Sequence, residues 1–296
     1  MPVIALSKEI GIRFSSDLEV SPRNIPVMII NRCCAGSLTA ALLLLSSTAL
    51  GIELELSTGL QHFGYQEFDD GGDSINQENG WIPGLQVGFS EALRLLTLSG
   101  SVSYFAGRVD YEGETQRAQP FSSDTDQKYI RASIGVARRV STAGMPGFDV
   151  FADLGIRVWD RNIRGDDRVS GLLEEYQWWE AALGVGMPFK TSLRREWRLE
   201  SALLYILDPR LTVVLPEFDD PTLELGEGLG LRIQAQHRWW TESGIGFRLT
   251  AFAEGWNFGR SNDQPLVRNG VTQGMVHEPR SESRHWGISF SVSRRY

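Results

Sequence analysis

The chain has only two cysteines in 296 residues, and they are adjacent, Cys33 and Cys34. Nothing after them can form a disulfide, and four scattered histidines (His62, His237, His277, His285) make no zinc pattern with them. A surplus of basic charge is also missing. The formal net charge is -8, which argues against a nucleic-acid partner, because phosphate needs a cationic face. There is no long amphipathic helix. The one long apolar run, residues 35–51, is shorter than a comfortable membrane-spanning helix. What the chain does have is nine tryptophans, thirty-one glycines and many short alternating segments.

The apolar run reads AGSLTAALLLLSSTALG, with Arg32 on its N-terminal side and Ala49-Leu50-Gly51 at its end. A cation, an apolar core and small residues before a cleavage point make a secretory signal peptide. Lys8, Glu9, Asp17 and Glu19 do not suit such a signal, whereas the stretch from Met28 does. The expected organisation is an upstream extension over 1–27, a cleavable signal over 28–51 and one domain over 52–296. That domain contains no cysteine, as befits export to an oxidising compartment.

Ten alternating segments follow: residues 52–68, 81–92, 94–111, 128–140, 147–160, 176–189, 196–208, 223–240, 244–258 and 284–296. Their connections alternate between long polar loops and short turns. On each segment one face is apolar. Leu154, Ile156 and Val158 oppose Asp153 and Arg157; Leu231 and Ile233 oppose Arg232 and Gln234; Leu249 and Ala251 oppose Arg248. A soluble sandwich would also alternate in this way. The export signal, the aromatic residues near strand ends and the uncovered last strand favour instead an all-β fold: an antiparallel up-and-down transmembrane β-barrel of about ten strands. All nine tryptophans (Trp81, Trp159, Trp178, Trp179, Trp197, Trp239, Trp240, Trp256, Trp286) are expected near an interfacial girdle.

The chain stops at HWGISFSVSRRY. Trp286, Ile288, Phe290, Val292 and the final Tyr296 resemble the C-terminal assembly signal of bacterial outer-membrane β-barrel proteins; Arg294 departs from it, an apolar residue being usual there. The resemblance covers the architecture of 52–296 and no functional family. It implies a place in the bacterial outer membrane. The implied partners are outer-membrane lipid and, through the last strand, the barrel-assembly machinery.

With the apolar face on lipid, charge projects inward. The expected lumen network is Arg131, Asp153, Arg157, Glu180, Arg198, Glu200, Arg232, Arg248 and Glu254, with Glu53, Glu55, Arg139 and Arg238 beside them. Both signs are present, so ion pairs filling the lumen are expected, since isolated buried charge is very costly. Ten strands with five long loops also resemble the omptin surface proteases in architecture. Asp124 and Asp126 could imitate their Asp pair, but the fourth long loop has Asp208, Asp219 and Asp220 and no histidine; His277 and His285 lie in or beside the fifth. Asp69, Asp70, Asp73 and Glu78 offer oxygen ligands for calcium, though a solvated acidic loop is commoner. No catalytic, cofactor or metal residue is assigned, and no cofactor is expected. The favoured expectation is a structural or surface-interaction barrel with a filled lumen and long surface loops. A narrow porin-like channel is the alternative, and an omptin-like hydrolase comes third.

Overall fold

The computed structural model describes residues 51–115, 119–141 and 147–296, with the backbone of residues 3 and 4. The expected extension and signal segment fall outside the described residues except at those two positions and Gly51.

Ten antiparallel strands close into one barrel, with no helix among the described residues. They are β1 Ile52–Phe68, β2 Ser74–Ala92, β3 Thr97–Glu114, β4 Pro120–Val140 and β5 Phe148–Ile163. Then come β6 Leu172–Ser192, β7 Arg195–Val214, β8 Gly228–Trp240, β9 Ile245–Phe258 and β10 Arg280–Arg295. β10 returns to β1 in unbroken register from Arg280↔Phe68 to Arg295↔Glu53, and Tyr296 N–H donates to the Ile52 carbonyl at 3.0 Å. The last strand therefore has no bare edge, which is how a sheet survives in lipid.

The outward face is apolar over a limited band. Leu56, Leu85, Val87, Val102, Ile134, Leu154, Leu183, Leu203, Leu229, Ile233, Leu249 and Ile288 all point out and stay exposed. Aromatic clusters mark both edges of the band. His62, Trp81 and Trp286 pack together at the long-loop edge; Trp197, His237, Trp239, Phe247 and Phe290 form a chain at the short-turn edge. This is the lipid-facing belt of a membrane barrel with its two girdles. The girdle does not hold all nine tryptophans. Trp159, Trp178 and Trp256 are inside the barrel at 0–3% exposure, and Trp240 faces inward under Arg295. Position on the two-residue period decides this: Trp159 shares parity with Asp153 and Arg157, not with Leu154.

The strands overrun the belt at the long-loop end. β2 starts at Ser74 rather than 81, β4 at Pro120 rather than 128, and β7 continues to Val214 rather than stopping at 208. Two of the expected long loops shrink to residues 69–73 and 115–119. Beyond the belt both faces carry polar groups, so the apolar alternation that marks a strand in lipid fades while the backbone ladder continues. In β7 the extension passes a bulge. Asp208, at φ 47°, and Pro209 sit together opposite Trp178, where the missing proline N–H breaks no ladder bond. The bulge shifts parity, so Leu211, Val213 and Leu215 point into the barrel at 0–3% exposure.

The fifth long loop is itself folded. Gln264–Arg268 pairs with Val271–Val276 across Asn269-Gly270, both at positive φ (53° and 77°), as a two-residue primed turn requires. Leu266 and Val276 are fully buried beneath it, and Asp219 N–H donates to the Val267 carbonyl, tying the fourth loop to the fifth.

Candidate functional site

The lumen divides into two unlike halves. The half toward the long loops is packed. Rings from four strands form a line across it. Tyr129 stacks on Trp159 with centroids 5.2 Å apart, Trp159 on Tyr176 at 4.4 Å, and Tyr176 on Phe258 at 6.2 Å. Phe63 and Tyr65 from β1 pack on Trp159, while Trp178 and Trp256 bridge from Phe258 to His285 on β10. These rings are 0–6% exposed. With Ile163, Leu172, Leu211, Leu223, Leu225 and Leu266 above them, they make one continuous core. The layer joins strands on opposite sides of the barrel, from Tyr129 on β4 to Phe258 on β9.

Inside that core, past the belt, lies a buried acid cluster. Arg161 donates to Glu78 at 2.8 Å, to Glu67 at 2.9 Å and to Glu174 at 2.6 Å, with its guanidinium 4.5 Å from the centre of the Tyr65 ring. A fourth carboxylate, Glu278, lies 2.9 Å from the Tyr176 hydroxyl and 3.2 Å from that of Tyr65. Burial works against charge on Arg161, but Glu174, Glu78 and Glu67 outweigh it and the guanidinium stays cationic. Four carboxylates around one cation cannot all ionise in a dry core. Burial raises Glu78 and Glu174 above the ordinary carboxylate range; burial, with Glu67 and Glu174 beside it, raises Glu278 further. Folding therefore shifts these three groups toward their protonated forms.

The half toward the short turns is a polar cavity of about 780 Å³, and Tyr129, Arg157, Glu254 and His285 line its inner end. The reason it is hollow is written on five neighbouring strands. β10 sends in Gly287, Ser289 and Ser291; β1 sends in Ser57 and Gly59; β2, Gly84 and Gly88; β3, Ser99, Ser101 and Ser103; β4, Ser133 and Gly135. These side chains are too short to reach the axis. Ser57 bonds Ser291 at 2.9 Å and Ser101 bonds Ser133 at 3.1 Å. At Gly84 a Cβ would lie 2.2 Å from the Phe105 ring, so only glycine lets that ring lie along the wall.

The facing wall, β5 to β9, is charged, and its ion pairs reach Arg131 on β4, Glu53 and Glu55 on β1 and Arg295 on β10. Arg131 meets Glu180 at 2.6 Å, Arg157 bridges Glu180 at 2.8 Å and Glu254 at 2.9 Å, and Arg232 meets Asp153 at 2.9 Å. Nearer the turns, Arg198 holds Asp149 and Glu200, Arg248 meets Glu55 at 2.9 Å, and Arg238 and Arg295 share Glu53 at 3.4 and 3.2 Å. Of the nine charged residues singled out in the sequence, Arg131, Asp153, Arg157, Glu180, Arg232 and Glu254 lie in one connected group. Arg198 and Glu200 form a second, and Arg248 sits with Glu55 and Glu53. The ion pairs line the cavity, whereas the packed half is filled by rings. The Arg161 cluster has no counterpart in the sequence reading. Its signal was there, because Arg161 continues the inward series Asp153, Arg157 two turns of the pleat further, but a strand ending at 160 cut it off.

The other sequence candidates do not converge. Asp124 and Asp126 lie on the outer face of β4, where Arg108 and Arg164 hold Asp126 at 3.2 and 2.7 Å and Arg108 reaches Asp124 at 3.8 Å. His277 sits 3.5 Å from Asp263, and His285 is buried in the lumen. Asp208 pairs with Arg210 at the bulge, and Asp220 accepts from Leu215 N–H. Asp69 caps its own turn through Asp73 N–H, whereas Glu78 points into the lumen onto Arg161, so the proposed calcium ligands separate. Among the described residues no cluster of histidine, cysteine or carboxylate is arranged to hold a metal. Trp286, Ile288, Phe290 and Val292 point outward and exposed on β10, and Arg294 continues that face, its guanidinium 5.4 Å from the Tyr296 ring.

No family model matches the chain, and no curated protein matches it in sequence. Solved structures do match in shape. The outer membrane protease OmpT from Escherichia coli is similar over 85% of this chain and 99% of its own, with a TM-score of 0.59 and 8% identity. The translocator domain of the autotransporter NalP from Neisseria meningitidis (TM-score 0.39, 13% identity, 85% of this chain and 92% of its own) is more distant. So is the toluene transporter TodX from P. putida (TM-score 0.32, 10% identity, 84% and 91%). The similarity to OmpT is one of fold: a bacterial outer-membrane β-barrel.

Proposed function

We propose that this protein is a non-conducting barrel of the bacterial outer membrane, sealed toward the outside and open toward the periplasm. One observation supports the reading: a packed aromatic layer runs from Tyr129 through Trp159 and Tyr176 to Phe258, between opposite sides of the barrel in the half toward the long loops. Short turns mark the periplasmic end of such barrels and long loops the outer end, which supports this orientation. The folded hairpins above the seal, Gln264–Val276 and the β7 extension among them, then form a fixed surface for contact outside the cell. Insertion would use the outward apolar residues of β10 and Tyr296 as the segment read by the assembly machinery. A hydrolase is less favoured, because Asp124 and Asp126 face away from the lumen and are engaged by arginines. Liposome swelling tests the reading. Vesicles carrying the refolded barrel should take up arabinose no faster than protein-free vesicles, and faster uptake would overturn it.

A further inference from the structure

The cavity at the short-turn end takes no part in the seal, and its lining has a definite chemistry. Charge is balanced at each level. At the inner end Arg131, Arg157 and Arg232 meet Asp153, Glu180 and Glu254; nearer the turns Arg139, Arg198, Arg238, Arg248 and Arg295 face Glu53, Glu55, Asp149, Glu196 and Glu200, while Arg94 and Arg138 lie exposed at the rim. Its inward-facing charges balance, so the interior has no surplus charge with which to select an ion. An apolar guest is also disfavoured, because it would strip water from these ion pairs and give nothing in return.

The uncharged polar groups that remain are amides and hydroxyls. Gln61 and Gln86 line the cavity on the serine-bearing wall, and Gln234 and Gln236 face them from β8. Amides and hydroxyls each donate and accept. Gln234 and Gln236 are fixed in orientation because both donate to Glu200, Gln236 at 3.2 Å. Phe105 and Phe252 add flat apolar faces to the same lining. A ligand that matches must carry many groups able both to donate and to accept, no net charge, and C–H faces that rest on aromatic rings. Those are the properties of a neutral saccharide. A cavity of about 780 Å³ falls inside the usual range for a small-molecule pocket of roughly 300–1,000 Å³.

We infer that the cavity is a binding site for neutral, hydroxyl-rich solutes of the saccharide class, entered from the short-turn end. The inference rests on the sealed-barrel reading, since a blind pocket retains a ligand that an open pore would pass. The same chemistry occurs in free oligosaccharides and in cell-wall glycan, so two probes are needed. Isothermal titration of the refolded, detergent-solubilised barrel with maltotriose and with tri-N-acetylchitotriose separates those sources, and citrate serves as an anion of similar polarity. Saturable heat with at least one trisaccharide, and none with citrate, is the expected result. Ser101→Leu and Ser133→Leu place a side chain in the cavity without touching an ion pair. Either should weaken that binding by about tenfold or more, as a filled pocket does, while the barrel keeps its heat-modifiable band on a gel. Binding of citrate alone, or of none of the three by the wild-type barrel, would overturn the inference. So would unchanged saccharide binding in both folded variants. Liposome swelling is read separately, so a leaky barrel and a pocket without affinity give different results.

Discussion

The indole of Trp159 lies flat against the phenol ring of Tyr176, with centroids 4.4 Å apart and planes inclined by 20°. Both rings are essentially unexposed, and both come from strands that also carry lumen charge, β5 and β6. Trp159 Nε1–H donates to the Gln127 carbonyl oxygen, and the Gln127 amide donates to Glu78, so the stack is joined to the acid cluster above it. Removing the indole leaves a cavity that the rigid barrel cannot close. Trp159→Ala should lower the stability of the refolded barrel by about 3–5 kcal/mol. The urea midpoint, read from the heat-modifiable band, checks this. A midpoint within error of wild type would mean that the stack is not a packed layer.

Arg161 and Arg108 provide a paired comparison. Arg161 is buried with Glu67, Glu78 and Glu174, whereas Arg108 is half exposed beside Asp124 and Asp126. Arg161→Met leaves carboxylates unpaired in a dry core and should cost about 3–5 kcal/mol. Arg108→Met breaks surface pairs and should cost about 1 kcal/mol or less. The two urea midpoints separate these cases, and equal losses would place Arg161 in contact with water.

The acid cluster sets a sign for pH dependence. The folded barrel holds the protons of Glu78, Glu174 and Glu278 more tightly than the unfolded chain does. The stability this gives is complete below the ordinary carboxylate range and is lost as pH rises through the raised folded values. Stability should therefore fall as pH rises above the ordinary carboxylate range, where unshifted carboxylates are already ionised. Glu278→Gln keeps the shape and removes one of these titrations. The variant should gain stability relative to wild type on the alkaline side and show a flatter profile. A series of melting temperatures across pH measures it, and a profile identical to wild type would remove Glu278 from the linkage.

The two faces of one barrel level are distinguished by Leu154 and Ser101. Leu154 is exposed on the outer face of β5 within the apolar band, and Ser101 lines the cavity on β3. Leu154→Arg should cost about 2–4 kcal/mol of folding into lipid if it lies near the midplane, and Ser101→Arg less. Refolding titrations into vesicles give both values, and equal penalties would contradict the assignment of faces.

The last strand offers a test of assembly. Deleting Tyr296 removes the N–H that bonds to Ile52 at the seam and the terminal aromatic of the outward face. Export should continue, while less protein reaches the heat-modifiable form in outer-membrane fractions. Unchanged assembly would detach Tyr296 from the signal.

The belt was legible in the sequence because lipid demands a strict two-residue alternation. Leu154, Ile156 and Val158 against Asp153 and Arg157 define both the strand and its faces. The inward course of Arg131, Glu180 and Arg232 followed from the same parity, although their partners did not, since cross-barrel distance depends on closure and not on neighbours in the chain. The region past the belt was harder to read. Glu67, Glu78, Arg161, Glu174 and Glu278 come from four strands and a loop, and their charges resemble ordinary loop polarity until the extended strands turn them inward. Trp159, Trp178 and Trp256 lie near strand ends, as girdle residues do, and only their parity turns them inward. The hairpin at Asn269-Gly270 carries a strong local turn signal inside a segment otherwise read as loop. The β7 bulge is different: Asp208-Pro209 reads locally as a stop, and only pairing with β6 and the Thr222–Glu224 strand carries β7 past it.

The most direct test of the sealed lumen is conductance in a planar lipid bilayer. Wild-type barrel, shown to be inserted by its heat-modifiable band, should give no unitary current steps in molar potassium chloride. A variant with Tyr129, Trp159, Tyr176 and Phe258 all replaced by alanine should give them wherever it still inserts. Regular single-channel steps from the wild-type barrel would contradict the account, because ions would then be crossing the aromatic layer that it holds to be closed.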